Sequence, residues 1–442
     1  MAESQLPVSS LTQALEGVSP LQFFGTISSV SGLRITCKGL QQTPIGARCQ
    51  IVGTNHVAQM AEVVGADKDM IYLMPYGVLE GVAVGCPVYP MQAAPTIRLN
   101  HSIVGRVLDG LGRPIDGQGR FSSAGGREQP LKAAAPPAHA RQPVGEKLDV
   151  GVRVLNTMLP LCAGQRLGVF AGSGVGKSIL MSMLARHSRA EINVIGLIGE
   201  RGREVREFIT EQLGEQGMNR SVVVVATSDE PALMRRQAAY LTMSIAEYFR
   251  DCGLQVMLMM DSVTRFAMAQ REIGLSLGEP PTTRGYTPSV FAELPRLLER
   301  AGPGTGKGSI SGIFSVLVEG GDMDEPVADA VRGILDGHIV LTRKLAERHH
   351  FPAIDVLQSI SRMVPKCLSD EENQLVQQAR QYLGTYENME ELIRLGAYQS
   401  GSDPEVDKAI QYHEALNDFL CQKPDEQADM AGSFQQLKQI FG

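Results

Sequence analysis

Apolar positions change rhythm three times along the chain. In residues 1–20, Leu11, Leu15 and Val18 recur at helical spacing behind Ser9 and Ser10, which suggests a short amphipathic tail helix. Next, Phe23–Val30, Leu33–Cys37, Ala47–Val52 and Met70–Met74 are short β-rich segments separated by Gly and Pro turns. Such spacing predicts a small β-barrel over residues 21–92. A loop-rich link follows from Pro95 to about Gly145. Beyond Lys147, six near-continuous apolar runs alternate with amphipathic helical stretches: Leu167–Phe170, Ile192–Ile198, Val222–Ala226, Val256–Met260, Ile310–Val318 and His338–Leu341. Strands apolar on both faces must be covered on both, so residues 93–365 are expected to form an α/β domain around a mostly parallel sheet. After Pro365 the strand pattern stops, and Glu371–Leu383, Glu387–Leu395 and Asp403–Leu420 predict a helical domain over 366–442.

Size and charge narrow the class. The chain has 442 residues, 43% apolar, with 41 basic against 48 acidic side chains and a net charge of −7. That balance offers no global basic field for nucleic acid. Seven scattered cysteines show no CxxC pair and no zinc spacing, which reads as reduced thiols in a cytosolic protein. No run of 18 apolar residues occurs and the N-terminus lacks signal-peptide order, so neither a membrane span nor a cleaved signal is expected.

The most specific chemistry lies at Ala171-Gly172-Ser173-Gly174-Val175-Gly176-Lys177-Ser178, between the apolar run ending at Phe170 and a helix-forming run from Ile179. This is a phosphate-binding loop. Glycines let backbone N–H groups converge on phosphate oxygens, Lys177 reaches the β- and γ-phosphates, and the Ser178 hydroxyl suits Mg²⁺. Ala171 stands where the pattern usually begins with Gly. A second stretch, Ala301–Gly308, also ends in Gly-Lys, but Gly308 replaces the metal-binding hydroxyl and a strand follows instead of a helix. It reads as a surface connection.

Hydrolysis of a triphosphate also needs a held metal, an oriented water and stabilised phosphoryl charge. The apolar run Val256–Met260 ends in Asp261, which places a carboxylate beside the loop to assist Mg²⁺, or else to cap the next helix. The run ending at Ile198 leads into Gly199-Glu200-Arg201 at the same sheet edge. Glu200 could orient or activate the attacking water, and Arg201 could brace Glu200 or contact phosphate.

Downstream, Pro352-Ala353-Ile354-Asp355 precedes Ser359-Ile360-Ser361-Arg362. This spacing, together with the phosphate loop, Gly199-Glu200-Arg201 and Asp261-Ser262-Val263-Thr264-Arg265-Phe266, resembles the rotary-ATPase superfamily of RecA-like proteins over about residues 21–420. Within it the chain most resembles the flagellar protein-export ATPases, relatives of type III secretion ATPases and of the catalytic subunit of ATP synthase. The resemblance implies a homo-hexameric ring with ATP and Mg²⁺ at subunit interfaces. Gly172 to Ile179 would hold phosphate, Ser178 and Asp261 the metal, and Glu200 would be the catalytic carboxylate. Arg201 and Arg265 would lie near the phosphates, Arg362 would be an arginine finger reaching the neighbouring subunit, and Phe351 would pack on adenine. Non-catalytic ring subunits of ATP synthase carry Gln where Glu200 stands. The implied setting is the cytoplasmic face of an inner-membrane export gate. The implied partners are a stator-like regulator at the N-terminal region, a coiled-coil stalk protein at the C-terminal helices, and export chaperones with their substrates. Virulence-type secretion, an RNA-translocating hexameric helicase and an inert nucleotide-binding subunit are the alternatives. Phe23 and Phe24 lack neighbouring Lys or Arg, which counts against the helicase.

Overall fold

A computed structural model describes residues 23–91 and 94–442, so the tail helix expected over residues 1–20 lies outside them. The described residues form two compact units divided after Pro95. In the first, β1 (Gly25–Ser31), β2 (Arg34–Lys38), β3 (Arg48–Val52), β4 (Ala58–Asp67), β5 (Met70–Pro75) and β6 (Pro87–Pro90) close into an antiparallel barrel of order β1-β2-β5-β4-β3-β6. Side-chain alternation sends Ile27, Ile35, Cys37, Cys49, Ile51, Val63, Ile71, Leu73 and Val88 inward, where they form one core. The sequence pattern missed β4 and β6. The first shifts register between Val63 and Gly65, which interrupts its alternation, and the second is four residues bounded by prolines.

The second unit is built on a sheet of order β17-β16-β10-β15-β13-β11-β12-β8. Its strands are β8 (Val107–Asp109), β10 (Arg166–Ala171), β11 (Ile192–Glu200), β12 (Ser221–Thr227), β13 (Gln255–Asp261), β15 (Ser309–Leu317), β16 (Gly337–Leu341) and β17 (Ile354–Ser361). All pairings from β8 to β16 are parallel; β17 runs antiparallel on β16, and β14 (Gly302–Pro303) is antiparallel on β15. The expected link over 95–145 therefore contributes an edge strand, and β7 (Thr96–Leu99) pairs with β9 (Arg127–Pro130) in a separate ribbon. The Ala301–Gly308 stretch turns into the start of β15, while the phosphate loop follows the end of β10. Because β10 and β15 are parallel, the two glycine-rich loops occupy opposite sheet edges.

Three helices close the chain: Asp370–Arg394, Pro404–Leu420 and Met430–Phe441. The two helices expected within 371–395 are one, started by a capping box at Ser369 and Glu372 and continuing through Gly384. Val376, Ala379, Leu416, Phe419 and Leu437 join the same hydrophobic core as the sheet.

A buried ion pair fastens the layer on the other side. The Arg300 guanidinium donates to both Glu247 oxygens, at 3.0 and 2.6 Å, and also to Leu131 O and Ser244 Oγ. Both partners are about 1–2% exposed. Removing one would strand the other charge without water. Arg300→Leu is expected to cost about 3–5 kcal/mol of stability, seen as a fall in the denaturant midpoint.

Candidate active site

Strand direction decides where the chemistry gathers. β10, β11 and β13 lie in one parallel sheet, so Ala171, Glu200 and Asp261, their last residues, reach the same edge. Ligands bind at this carboxyl edge in parallel α/β sheets.

The phosphate loop is shaped by its glycines. Gly174 and Gly176 have φ of 77° and 93°, in the left-handed region that favours residues without Cβ. Val175 points inward and is 2% exposed, which anchors the loop, while Ser173 and Gly174 face solvent. Gly176 precedes the helix Lys177–His187 with no side-chain cap, which leaves first-turn amides for an anion. Ser178 and Ile179 lie in that first turn. Ala171 is the buried last residue of β10, so its methyl packs in the core.

Lys177 brings the site together. Its Nζ lies 2.5 Å from Asp261 Oδ1 and 3.6 Å from Glu200 Oε1. Burial opposes the ammonium charge, but the Asp261 and Glu200 carboxylates outweigh it and hold the lysine pKa above its ordinary value. Asp261 Oδ1 also accepts from the Ser315 hydroxyl at 2.6 Å. The next residue, Ser262, caps the helix Val263–Ser276 through Arg265 N, so Asp261 is not the cap. Glu200 is half-buried, and burial plus the Asp261 charge, against the opposing pull of Lys177, push its carboxyl up to about 7. A group titrating there can hold or accept a proton at neutral pH.

Glu200 is aimed by Gly199. The β11–β12 register shifts between Ile198 and Glu200, a bulge that redirects the strand end. Gly199 has φ of 72°, and a Cβ there would lie 2.8 Å from Cβ of Arg265. Arg265 thus packs its stem on Gly199, and its buried Nε has no hydrogen-bond partner. Phe351 stands beside the loop as well: a Cβ on Gly176 would meet its ring at 3.6 Å, and the residue is 37% exposed.

Two expected residues lie apart from this cluster. Arg201 does not brace Glu200; it faces solvent and pairs with Glu204 at 3.6 Å. Arg362 follows the antiparallel β17, whose last residue Ser361 pairs with Gly337 at the start of β16. It is therefore at the sheet edge opposite Lys177 within its own chain. Sequence reasoning missed Ser315 and Gly199. A lone hydroxyl within the apolar run Ile313–Val318 and a glycine immediately before the acidic residue were the available signals.

The donor set is hard oxygen, Ser178 hydroxyl and Asp261 carboxylate, which fits Mg²⁺ shared with substrate phosphates. The Asp261–Lys177–Glu200 geometry at an open phosphate loop matches a hydrolytic nucleotide site. Residues 151–361 match the ATP synthase alpha/beta family, nucleotide-binding domain, and residues 368–439 match the T3SS EscN ATPase C-terminal domain. A flagellum-specific ATP synthase of Caulobacter vibrioides is 53% identical over 98% of this chain and 99% of its own length. The chain belongs to the flagellar and type III secretion ATPases.

A type 3 secretion system ATPase of Xanthomonas euvesicatoria is 44% identical, with 96% of both chains covered. Among solved structures, the assembled ATPase EscN of enteropathogenic E. coli superposes with a TM-score of 0.88 at 40% identity, covering 95% of this chain and 100% of that one. EscN in complex with its central stalk EscO gives 0.86 at 41% identity over the same shares. Coverage of 95% of this chain means that the match to EscN extends over the barrel, the parallel sheet and the C-terminal helices.

The bulge yields a separable test. Gly199→Ala forces a Cβ into the Arg265 stem at a left-handed φ. Nucleotide affinity should be largely kept while kcat falls by about tenfold to 100-fold, because a misplacement of about 1 Å is enough for that loss. Unchanged kcat, measured by phosphate release, would show that the bulge does not aim Glu200.

Proposed function

We propose that this chain hydrolyses Mg-ATP within a homo-hexameric ring and thereby energises flagellar protein export. The observation that carries the reading is the 3.6 Å approach of Glu200 to Lys177 beside an uncapped phosphate loop. In this reading Gly172 to Ile179 cradle the phosphates, with Lys177 exchanging its carboxylate partners for phosphate oxygens. Glu200, at the end of β11 beside the loop, orients the attacking water and accepts its proton. Ser178 and Asp261 hold Mg²⁺, which when bound supplies positive charge to the phosphates. Phe351 offers its exposed ring to adenine, and Arg265, its stem packed on Gly199, is read as a polar group near the phosphates.

Arg362 acts on the adjacent subunit. Its own chain holds it at the far sheet edge, exposed, where its guanidinium donates to Arg332 O at 3.4 Å. An exposed guanidinium at one edge and an unfinished site at the other suit a head-to-tail ring, in which each interface supplies what one chain lacks. The assembly of EscN and its complex with a central stalk support a ring and a stalk partner here, and in this reading the C-terminal helices face the stalk. In the same reading a stator-like regulator meets the N-terminal region, and the ring sits at the cytoplasmic face of the inner-membrane export gate. There it strips chaperones and unfolds export substrates. No nucleic acid is part of the cycle, and no helix among the described residues is long and apolar enough to cross a membrane.

Two measurements test this. Glu200→Gln should bind a fluorescent ATP analogue as the unaltered chain does but lose turnover by at least about 100-fold; normal hydrolysis would overturn its role. Arg362→Ala and Lys177→Ala should each be nearly inactive alone. Mixed, they should recover part of the rate, since some interfaces then pair an intact loop with an intact finger. No recovery at any ratio, with mixed rings verified, would place the finger elsewhere.

A further inference from the structure

The aim of Arg362 is set at its backbone. Its side chain is exposed, and the guanidinium bond to Arg332 O is long for a hydrogen bond at 3.4 Å. Its amide, by contrast, donates to Asp336 O at 3.0 Å, where the end of β17 lies against the start of β16. That same oxygen accepts from Gln165 Nε2 at 3.2 Å, and Nε2 also donates to Oγ of Ser361, the residue before Arg362, at 3.0 Å. Gln165 immediately precedes β10 and is fully buried. We propose that Gln165 is a positioning residue for the reaction: it fixes the direction in which Arg362 leaves β17, and so where the guanidinium meets the phosphates bound by the adjacent subunit.

The Gln165 amide is fully engaged. Nε2 makes the two bonds above, and Oε1 accepts from Cys162 N at 2.9 Å. Its main chain is held on both sides, with Gln165 N donating to Cys162 O at 2.9 Å and Gln165 O accepting from Gly312 N at 2.9 Å. The groups it touches are fixed in turn. Ser361 Oγ donates to Pro160 O at 2.8 Å, and the Asp336 carboxylate accepts from Arg166 N, Nε and Nη2 at 3.0, 3.1 and 3.2 Å. Burying an amide costs desolvation that an apolar side chain of the same length avoids, so filling the core does not account for a glutamine here. What the amide adds is direction. One rigid plane holds both the Ser361 side chain and the carbonyl that receives the Arg362 amide, and any rotation of the peptide between them is magnified along the arginine side chain. β10 thus starts at the support of Arg362 and ends at the phosphate loop.

The inference rests on the reading of Arg362 as an intersubunit finger, and complementation between full-length variants tests the two separately. Gln165→Met keeps the length of the side chain and removes its hydrogen bonds. It should bind a fluorescent ATP analogue within about twofold of the unaltered chain and lose about tenfold to 100-fold in kcat. Its loop is intact and its finger misaimed. Mixing it with Lys177→Ala, which keeps the finger, should therefore raise the rate per Gln165→Met subunit severalfold, whereas mixing it with Arg362→Ala, which keeps the loop, should not. Ser361→Ala leaves Gln165 its bond to Asp336 O; it should show the same pattern more weakly, and it carries the test if Gln165→Met does not fold. Unchanged kcat in both variants overturns the inference. So does a rate that fails to rise with Lys177→Ala in verified mixed rings, because a neighbour cannot repair damage to a subunit's own loop or fold. The control mixture of Arg362→Ala with Lys177→Ala reads the finger itself: no recovery there removes the finger and this inference with it, while recovery there and none for Gln165→Met overturns the positioning role alone.

Discussion

One ammonium shared by two carboxylates organises this protein. Lys177 is nearly enclosed, and only the paired charges of Asp261 and Glu200 make its ammonium tolerable there. Burial first, and then the neighbouring Asp261 charge that one ammonium does not fully offset, raise the Glu200 carboxyl toward neutrality. Such a site is poised for a ligand that brings phosphate oxygens for the lysine and positive charge for the carboxylates. A magnesium–triphosphate complex carries both. The surrounding fold can be understood as the means of holding three strand ends and one loop at that spacing.

Sheet direction then limits what a single chain can do. Parallel strands collect the loop, Asp261 and Glu200 at one edge, whereas the last strand reverses and delivers Arg362 to the other. The length of β16 separates the two ends, and no side-chain rotation spans it. On the proposed reading of Arg362 as an intersubunit finger, a complete site takes a second copy presented head to tail, and the antiparallel edge strand then serves assembly as well as fold.

Much of this was legible because buried parallel strands leave an unbroken apolar trace, and their polar terminators, Glu200 and Asp261, stand out against it. The phosphate loop was legible because glycines at left-handed positions cannot be replaced freely. What escaped had weaker physics behind it. β8 is three residues long, and β17 is an edge strand whose burial alternates, so Ile354-Asp355-Val356 reads as a polar motif as readily as a strand. The expected helix stopped at Leu383, just before Gly384, but a glycine in a helix costs only about 1 kcal/mol, and packing of Val376, Ala379 and Tyr382 before it and Tyr386 after it outweighs that. Arg201 was drawn toward Glu200 by adjacency alone. Successive residues at a strand end diverge, and its guanidinium went to Glu204 in the following helix.

The segment after the helix Pro404–Leu420 shows how the two ends of the second unit are joined. Gln422 N donates to Phe351 O at 2.8 Å, and its side chain bridges Arg153 N, Gly151 O and Glu426 O. Arg186, in the helix that begins at the phosphate loop, donates to Pro424 O and Asp425. Phe351 and the phosphate-loop helix, two elements that border the nucleotide site, are thus each tied by hydrogen bonds to residues 422–426. Both elements therefore connect to the base of the C-terminal helices by short, directional polar contacts in addition to the close packing of the core. The nucleotide site and the C-terminal helices are thus linked by a polar path that lies within one chain.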